Sequence, residues 1–518
     1  MLKSVFSNWF GLVFNGLVSF LLTPLLIHHL GTLYYGMWIL AASLLDYYGL
    51  LDIGMRTALF RFVARANGAS ERKALNTTIN TALAITAGIG LFLVVLIPAL
   101  TLLLPGFFDV PAAEIPNFRW LLILVGLSLA ITFPARVLGT YLSGLQRFDL
   151  YNLSGIATTL LRACMLIVVL FRGHGVVAVA AVTLVSSVFS FLLNWKFLYR
   201  ADRDVSFDWS HVSWTRAVEL IRYGFYAFLN TAGEYLRSYT DAIVIARMLG
   251  VALVAPFSIA TRMMEYFKSV FSGIGSPMMG VMSEIDGKSQ DEEQRRFFLR
   301  STRLLSLASV LFAVVLILDG KAFIHLWVGD AFISTYPLIV VLTAGYALGL
   351  GQYPSQLVVF ARAQHRPLAL LTLAEGIANL VLSIYWARRY GLMGVALGTA
   401  VPMIAAKLIQ PWYALHVLKI SGSDYLTKAI GRPLIVLGLF AAFGRLIPAA
   451  HGEDGLISFF TSVAGQTALF AILTYAVGLN SEDRRFVWDQ RKYFKAALHA
   501  RQIKGELKPG YETGSEGR

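Results

Sequence analysis

The sequence is poor in charge and has almost no cysteine. Only 14% of its 518 residues are charged, against 57% hydrophobic. Soluble domains carry about a quarter charged residues, so ordinary globular domains cannot hold this chain in water. The single cysteine, Cys164, excludes a disulfide framework, a cysteine-built zinc site and dithiol redox chemistry; its place in an apolar run predicts that it packs as a small hydrophobe. A Gly-rich nucleotide loop is missing, as is any His, Asp or Glu cluster at metal-ligand spacing. The loops between apolar runs stay within about 20 residues, too short for a separate catalytic domain. These absences argue against an enzyme and imply neither cofactor nor metal; His28-His29 reads as an interfacial pair at a helix end.

What the sequence has instead is a series of apolar runs of about 20 residues or more, each able at 1.5 Å per residue to cross a roughly 30 Å hydrocarbon layer. They fall near 8–30, 36–60, 77–104, 118–143, 150–171, 174–198, 219–247, 252–280, 298–318, 334–361, 367–387, 391–417, 429–448 and 456–479. Continuous Leu, Ile, Val, Phe and Ala, rather than ten-residue alternating segments, predicts helices and not a β-barrel. The expected fold is an all-α integral membrane protein of about fourteen transmembrane helices. Lys3 alone precedes the first run, which reads as an uncleaved helix.

Acidic residues are outnumbered 30 to 44, for a net charge of +14. The excess lies in alternate loops, such as those with Arg61, Arg65, Arg72 and Lys73, or Arg295, Arg296, Arg300 and Arg303, as the positive-inside rule expects. This pattern makes the charge topological rather than a nucleic-acid surface and puts both termini in the cytoplasm. The tail interleaves Phe486, Trp488, Tyr493 and Phe494 with Arg485, Arg491, Lys492 and Lys495. It reads as an interfacial amphipathic helix that binds membrane lipid or docks a cytoplasmic enzyme, and the last dozen residues read as disordered.

The chain also matches itself. His29-Leu30-Gly31 corresponds to Met248-Leu249-Gly250, Gln146-Arg147 to Gln364-His365-Arg366, and Gly175 to Ala180 to Gly391 to Ala396, each about 216 to 219 residues on. Six helices fit in that spacing, an even number, so the copies are expected to be parallel repeats related by an axis along the membrane normal. The expected organisation is a six-helix lobe over 1–200, an interfacial linker over 201–218, a second lobe over 219–420, helices thirteen and fourteen over 421–480, and a basic tail over 481–518. Two such lobes suit an alternating-access transporter.

Pro24 in the first run, Leu30-Gly31 followed by Tyr35-Gly36-Met37-Trp38, and Leu51-Asp52-Ile53-Gly54-Met55 before Arg61-Phe62-Val63-Ala64 give the opening of the chain a recognisable pattern. It resembles oligosaccharide flippases of the Wzx type, in the polysaccharide-transporter branch of the multidrug/oligosaccharidyl-lipid/polysaccharide flippase superfamily. That resemblance implies a fourteen-helix protein of the bacterial cell (inner) membrane. Its cargo would be an undecaprenyl-diphosphate-linked oligosaccharide, moved to the outer leaflet for O-antigen, capsule or exopolysaccharide synthesis. A glycan polymerase or glycosyltransferases would be its partners.

Charges inside spans cost at least about 2.5 to 3.5 kcal/mol each at the bilayer centre and need an interior place. Arg136, Arg162, Arg237, Arg262, Lys268 and Lys407 face Asp46, Asp52, Glu234, Asp241, Glu265 and Glu375 in number, so mutual pairing competes with any substrate role. Helical spacing groups them into stripes: Glu234, Arg237 and Asp241; Arg262, Glu265 and Lys268; Ser154, Thr158 and Arg162; Glu375, Asn379 and Ser383; Asn15, Ser19 and Thr23. Arginine forks suit a diphosphate. Arg237, Arg262, Arg162 and Arg56, with Glu234 and Lys407, are therefore the substrate-binding candidates. Glu234, Asp241 and Glu375 are the candidates for coupling to protons or sodium. Tyr235, Tyr239, Tyr266, Tyr353 and Trp386 could stack on sugars, and Pro24, Pro134, Pro277, Pro354 and Pro402 mark kinks. Two rivals stay open: an ion-coupled exporter of small cationic molecules on the same fold, and a membrane glycan polymerase or acyltransferase.

Overall fold

The computed structural model describes residues 2–485 except 53, 289, 363, 365, 445, 446 and 448–454. The expected tail helix lies outside the described residues, as do the side chains of Asp46 and Pro277. What is described is helical, and no β-strand occurs among the described residues.

The first helix, α1 (Leu2–Asp46), turns a corner at Gly31, whose φ of 73° is open to glycine alone at low cost. A 3-10 turn (Tyr47–Asp52) leads to α2 (Met55–Gly68). Four helices follow: α3 (Arg72–Phe107), α4 (Ile115–Gly144), α5 (Phe148–Phe171) and α6 (Val176–Ala201). The second half holds α7 (Trp214–Met248), α8 (Val254–Gly287), α9 (Asp291–Val328), α10 (Tyr336–Gly351) and α11 (Tyr353–Ala361). Next comes α12 (Arg366–Leu418), broken at Gly391, where φ is 57°. The chain ends on α13 (Gly422–Tyr425), α14 (Gly431–Phe443) and α15 (Gly455–Leu473).

Among the described residues, ten helical stretches are long and apolar enough to cross a membrane. Leu91, Val95, Leu102, Phe171, Leu192, Val381, Ile457 and Ile472 are among many large apolar side chains turned outward, as a lipid-facing surface requires. The protein is a multi-pass membrane protein. Helices α7 and α8, which carry the expected charged stripes, are not among those ten. The run at 36–60 differs from expectation: it is broken by the 3-10 turn and by Gly54, at φ 68°. Glycines at 49 and 54 with Asp52 between them weaken a helix, and the break lets Gly54 meet α7 so closely that a Cβ there would lie 2.2 Å from the Gly224 carbonyl oxygen. Cys164 also departs from expectation, lying exposed on the outer face of α5.

Packing partners recur in the two halves. In the first, α1 packs on α5, α3 on α4, and α4 on α6; in the second, α7 packs on α12, α9 on α10, and α10 on α12. One apolar core, running from Ile27, Tyr35 and Trp38 through Phe108, Phe118 and Leu170 to Ile245, Val254, Phe332 and Val395, joins both halves at one end of the molecule. There a Cβ on Gly36 would lie 2.3 Å from the Val251 carbonyl oxygen, and Arg247 meets Asp109 at 2.8 Å. At the other end the buried apolar residues form two separate clusters. One holds Leu59, Val63, Tyr141 and Leu198 with Leu220 of α7; the other holds Met282, Phe298, Val358 and Leu415. The halves are closed at the first end and parted at the second except where α7 lies against α2 and α3.

Candidate functional site: a charged chamber between the halves

Three adjoining cavities occupy the space between the halves, and Asn15 of α1 lines all three. The first, about 630 Å³, is walled by α4, α5 and α6 with the start of α2. Asp52, Arg56, Arg136 and Arg162 reach it, among Tyr151, Asn152, Ser154, Thr158, Ser187, Ser190 and Asn194. The second, about 760 Å³, takes both charged stripes of α7 and α8: Glu234, Arg237, Asp241, Arg262, Glu265 and Lys268 all line it. The third, about 240 Å³, lies between Ser19 and Thr23 of α1, with Arg162 from the first half and Arg262 from the second. Those positions follow from helical spacing: residues three, four or seven apart share a face.

The charges separate into a paired group and an unpaired one. Arg237, 7% exposed, binds Glu234 at 2.6 Å and Glu375 at 3.1 Å. Lys268 reaches Glu234 at 3.5 Å and Glu265 at 3.6 Å, and Lys407 lies 3.7 Å from Glu375. Three cations thus meet three carboxylates. Lys407 opens onto a fourth, small cavity of about 90 Å³ with Tyr353 rather than onto the large chambers.

Arg162 and Arg262 stand outside that network. No carboxylate among the described residues comes within the 4.0 Å of an ion pair with either, and the Arg262 Nε is buried with no hydrogen-bond partner. Arg56 donates to the Tyr151 hydroxyl at 3.2 Å. Arg61, in contrast, lies over the Tyr223 ring at 4.4 Å. The chambers hold a positive surplus, with arginine donors fit for an anion's oxygens.

Asp241 differs from the other acids. It is buried between α7 and α12, with no cation among the described residues within ion-pair distance. Thr399 Oγ1 donates to Asp241 Oδ2 at 2.6 Å, while Asn379 Nδ2 and Ser383 Oγ reach Oδ1 at 3.4 and 3.3 Å. The side-chain oxygen of Asn379, Oδ1, is buried without a partner among the described residues. A buried carboxylate held by two hydroxyls and an amide NH2, with no cation beside it among the described residues, is a place where a proton or a small hard cation can bind.

Of the expected aromatics, Tyr235, Tyr239 and Tyr266 line the second chamber, and Trp386 lines none of these cavities. Sequence reasoning passed over Ser186, Ser190 and Asn194, which the first chamber contains; their spacing of four on α6 was a readable stripe. It also passed over Thr399, whose partner lies 158 residues away.

The family described as polysaccharide biosynthesis protein matches residues 50–337, more than half of the chain. The chain belongs to that family. A membrane protein of Bacillus subtilis (strain 168) named "Uncharacterized membrane protein EpsK" is 22% identical over 93% of this chain and 96% of its own length. A Shigella flexneri protein named "Putative O-antigen transporter" is 20% identical over 80% of this chain and 97% of its own. Among solved structures, lipid II flippase MurJ in an inward closed conformation superposes with a TM-score of 0.67 at 14% identity, covering 92% of this chain and 98% of that one. A multidrug resistance MATE family transporter gives 0.66 in its inward-facing conformation and 0.59 outward-facing, both at 16% identity over 80% of this chain. The fold is that of the MATE and MurJ transporters, and the Shigella flexneri relative and the structural neighbours are named as transporters or flippases rather than enzymes.

Proposed function

We propose that the protein flips an undecaprenyl-diphosphate-linked oligosaccharide from the cytoplasmic to the outer leaflet by alternating access, in polysaccharide synthesis at the bacterial inner membrane. The observation that carries this reading is the third chamber, where Arg162 of the first half and Arg262 of the second share one polar space without carboxylate partners. A diphosphate held there would engage both lobes at once, and the hydroxyl- and amide-lined first chamber would take the sugars. The family, the O-antigen name of a relative and the MurJ likeness support it. The rival exporter of small cations would need an acid-rich chamber, whereas the first chamber sets Arg56, Arg136 and Arg162 against Asp52 alone.

Splitting α1 and α12 at their glycines and adding α7 and α8 to the ten apolar stretches yields fourteen spans, with both termini cytoplasmic. Lobes over 1–200 and 219–420 then follow as parallel repeats, supported by their matching packing partners. In this topology the parted end faces the cytoplasm. Asp241 is the coupling acid, since Glu234 and Glu375 already have cations of their own. A cell lacking the gene should stop exporting the glycan and accumulate its lipid-linked precursor on the cytoplasmic leaflet. Undiminished export, or accumulation on the outer leaflet, would overturn the proposal.

A further inference from the structure

A separate cavity of about 600 Å³ opens where the first turns of α9 meet the last turns of α8, the start of α14 and the chain after α15, and shares no lining residue with the central chambers. Arg296, Arg300, Arg303, Lys428 and Arg432 reach it; Glu293 and Glu482 are its acids, both exposed. Its apolar wall is built from Val281 and Ile285 of α8 with Phe297 and Leu299 of α9.

The cations are held there by unusual backbone. Both segments that flank the cavity contain a turn of π-helix, Leu426–Ile430 and Thr474–Gly478, and such turns leave carbonyls outside the α-helical ladder. The Lys428 carbonyl accepts from Arg303, and the Val477 and Leu479 carbonyls accept from Arg432 at 3.2 and 2.7 Å. Carbonyls orient a guanidinium without neutralising it. Beside the cavity, buried Asp483 is shared by Arg303 at 2.6 Å and Arg300 at 3.2 Å, and Lys428 pairs with Asp424 at 2.6 Å. Arg296 and Arg432 make no ion pair among the described residues.

We propose that this cavity binds the phosphate headgroup of an anionic phospholipid from the adjoining leaflet, with an acyl chain along the apolar wall. Arginine forks select phosphate oxygens. The apolar wall selects a lipid over a free phosphate, and so does depth: Arg303 lies twelve residues beyond Asp291, about 18 Å along the helix axis. A lipid seated there would tie α14 and α15 to α9 from below.

The test uses the full chain, purified in mild detergent and stripped of lipid, with bound phosphatidylglycerol counted by native mass spectrometry. Phosphatidylglycerol should bind in preference to phosphatidylcholine. The double variant Arg296→Gln, Lys428→Gln should bind it at least about tenfold more weakly, given about 1 kcal/mol for each basic residue near an anionic headgroup. The charge-keeping pair Arg296→Lys, Lys428→Arg should restore binding, which separates lost charge from lost folding. Equal binding by the wild type and the double variant would overturn the site. Displacement of the lipid by inorganic pyrophosphate would overturn the lipid assignment in favour of a soluble phosphate, and displacement by a polyglutamate peptide would overturn it in favour of a protein partner. Because the cavity stands apart from the central chambers, none of these results depends on which substrate is flipped.

Discussion

At the scale of single residues, the decisive distinction is between buried charges that have partners and those that do not. Arg237 is the most closely paired of these cations: removing it leaves Glu375, 1% exposed, with the more distant Lys407 alone and Glu234 with Lys268. Arg237→Ala should therefore lower stability by about 3 to 5 kcal/mol, read as a fall in melting temperature in detergent, and a second change, Glu375→Gln, should recover part of it. Arg262→Ala should do the opposite, leaving the melting temperature in place while export falls by about tenfold to a hundredfold, as loss of a charge-assisted hydrogen bond of about 1.5 to 3 kcal/mol predicts. Normal export by Arg262→Ala at normal protein level would remove it from the substrate site. Asp241→Asn keeps the size and the contact with Thr399 but removes the charge. It should abolish the response of export to a sodium or proton gradient, and an unchanged response would rule Asp241 out as the coupling acid. The sequence displayed all of these charges and their helical stripes. It could not display the pairing, because Glu375 lies 138 residues from Arg237 and hydrophobic periodicity carries no information about which helix a stripe meets.

At the scale of elements, apolar runs located nearly every helix, yet the backbone path within a run was not legible from hydropathy. The break at 47–54 illustrates why: its residues are as apolar as their neighbours, and what bends the chain is glycine, together with the approach of α7. Two left-handed glycines separate these effects. At Gly31, φ 73°, a Cβ would meet open space; at Gly54, φ 68°, it would strike the Gly224 backbone. Gly31→Ala should cost only the left-handed penalty of about 1 to 2 kcal/mol, while Gly54→Ala must also push α7 away, so its melting temperature should fall further. Equal falls would show that the α2 and α7 contact yields freely. The linker before α7 is fastened as well. Asn76 and Asn80, one turn apart on α3, hold alternate residues: the Ser206 and Asp208 amides donate to them at 3.2 and 3.1 Å, and Asn80 donates to the Ser206 carbonyl at 2.7 Å. The expected interfacial linker is thus strapped to the first half, and the flexing between halves falls to α7 itself.

At the scale of the whole molecule, one shared core closes one end and two separate cores leave the other parted, so the conformation is fixed by which apolar surfaces meet. In the proposed alternating-access cycle the same residues serve both conformations, and for that reason the internal repeat in the sequence points to two lobes without indicating which way they open. Opening the closed end requires Gly36 to leave Val251 and Arg247 to leave Asp109. That ion pair is 49% and 75% exposed, worth about 0 to 1 kcal/mol, so it marks the seam without holding it shut. Cysteines can therefore replace both partners at little cost, and exposed Cys164 must first be removed to leave no competing thiol. In an Asp109→Cys, Arg247→Cys, Cys164→Ser protein, a short bifunctional thiol reagent that can be cleaved by reductant should trap the parted-inward state. Export should stop on cross-linking and return on cleavage, while each single cysteine treated with the same reagent exports normally. Full export with complete cross-linking would mean that this seam never opens, and with it the rocking of two lobes about the central chambers would fall.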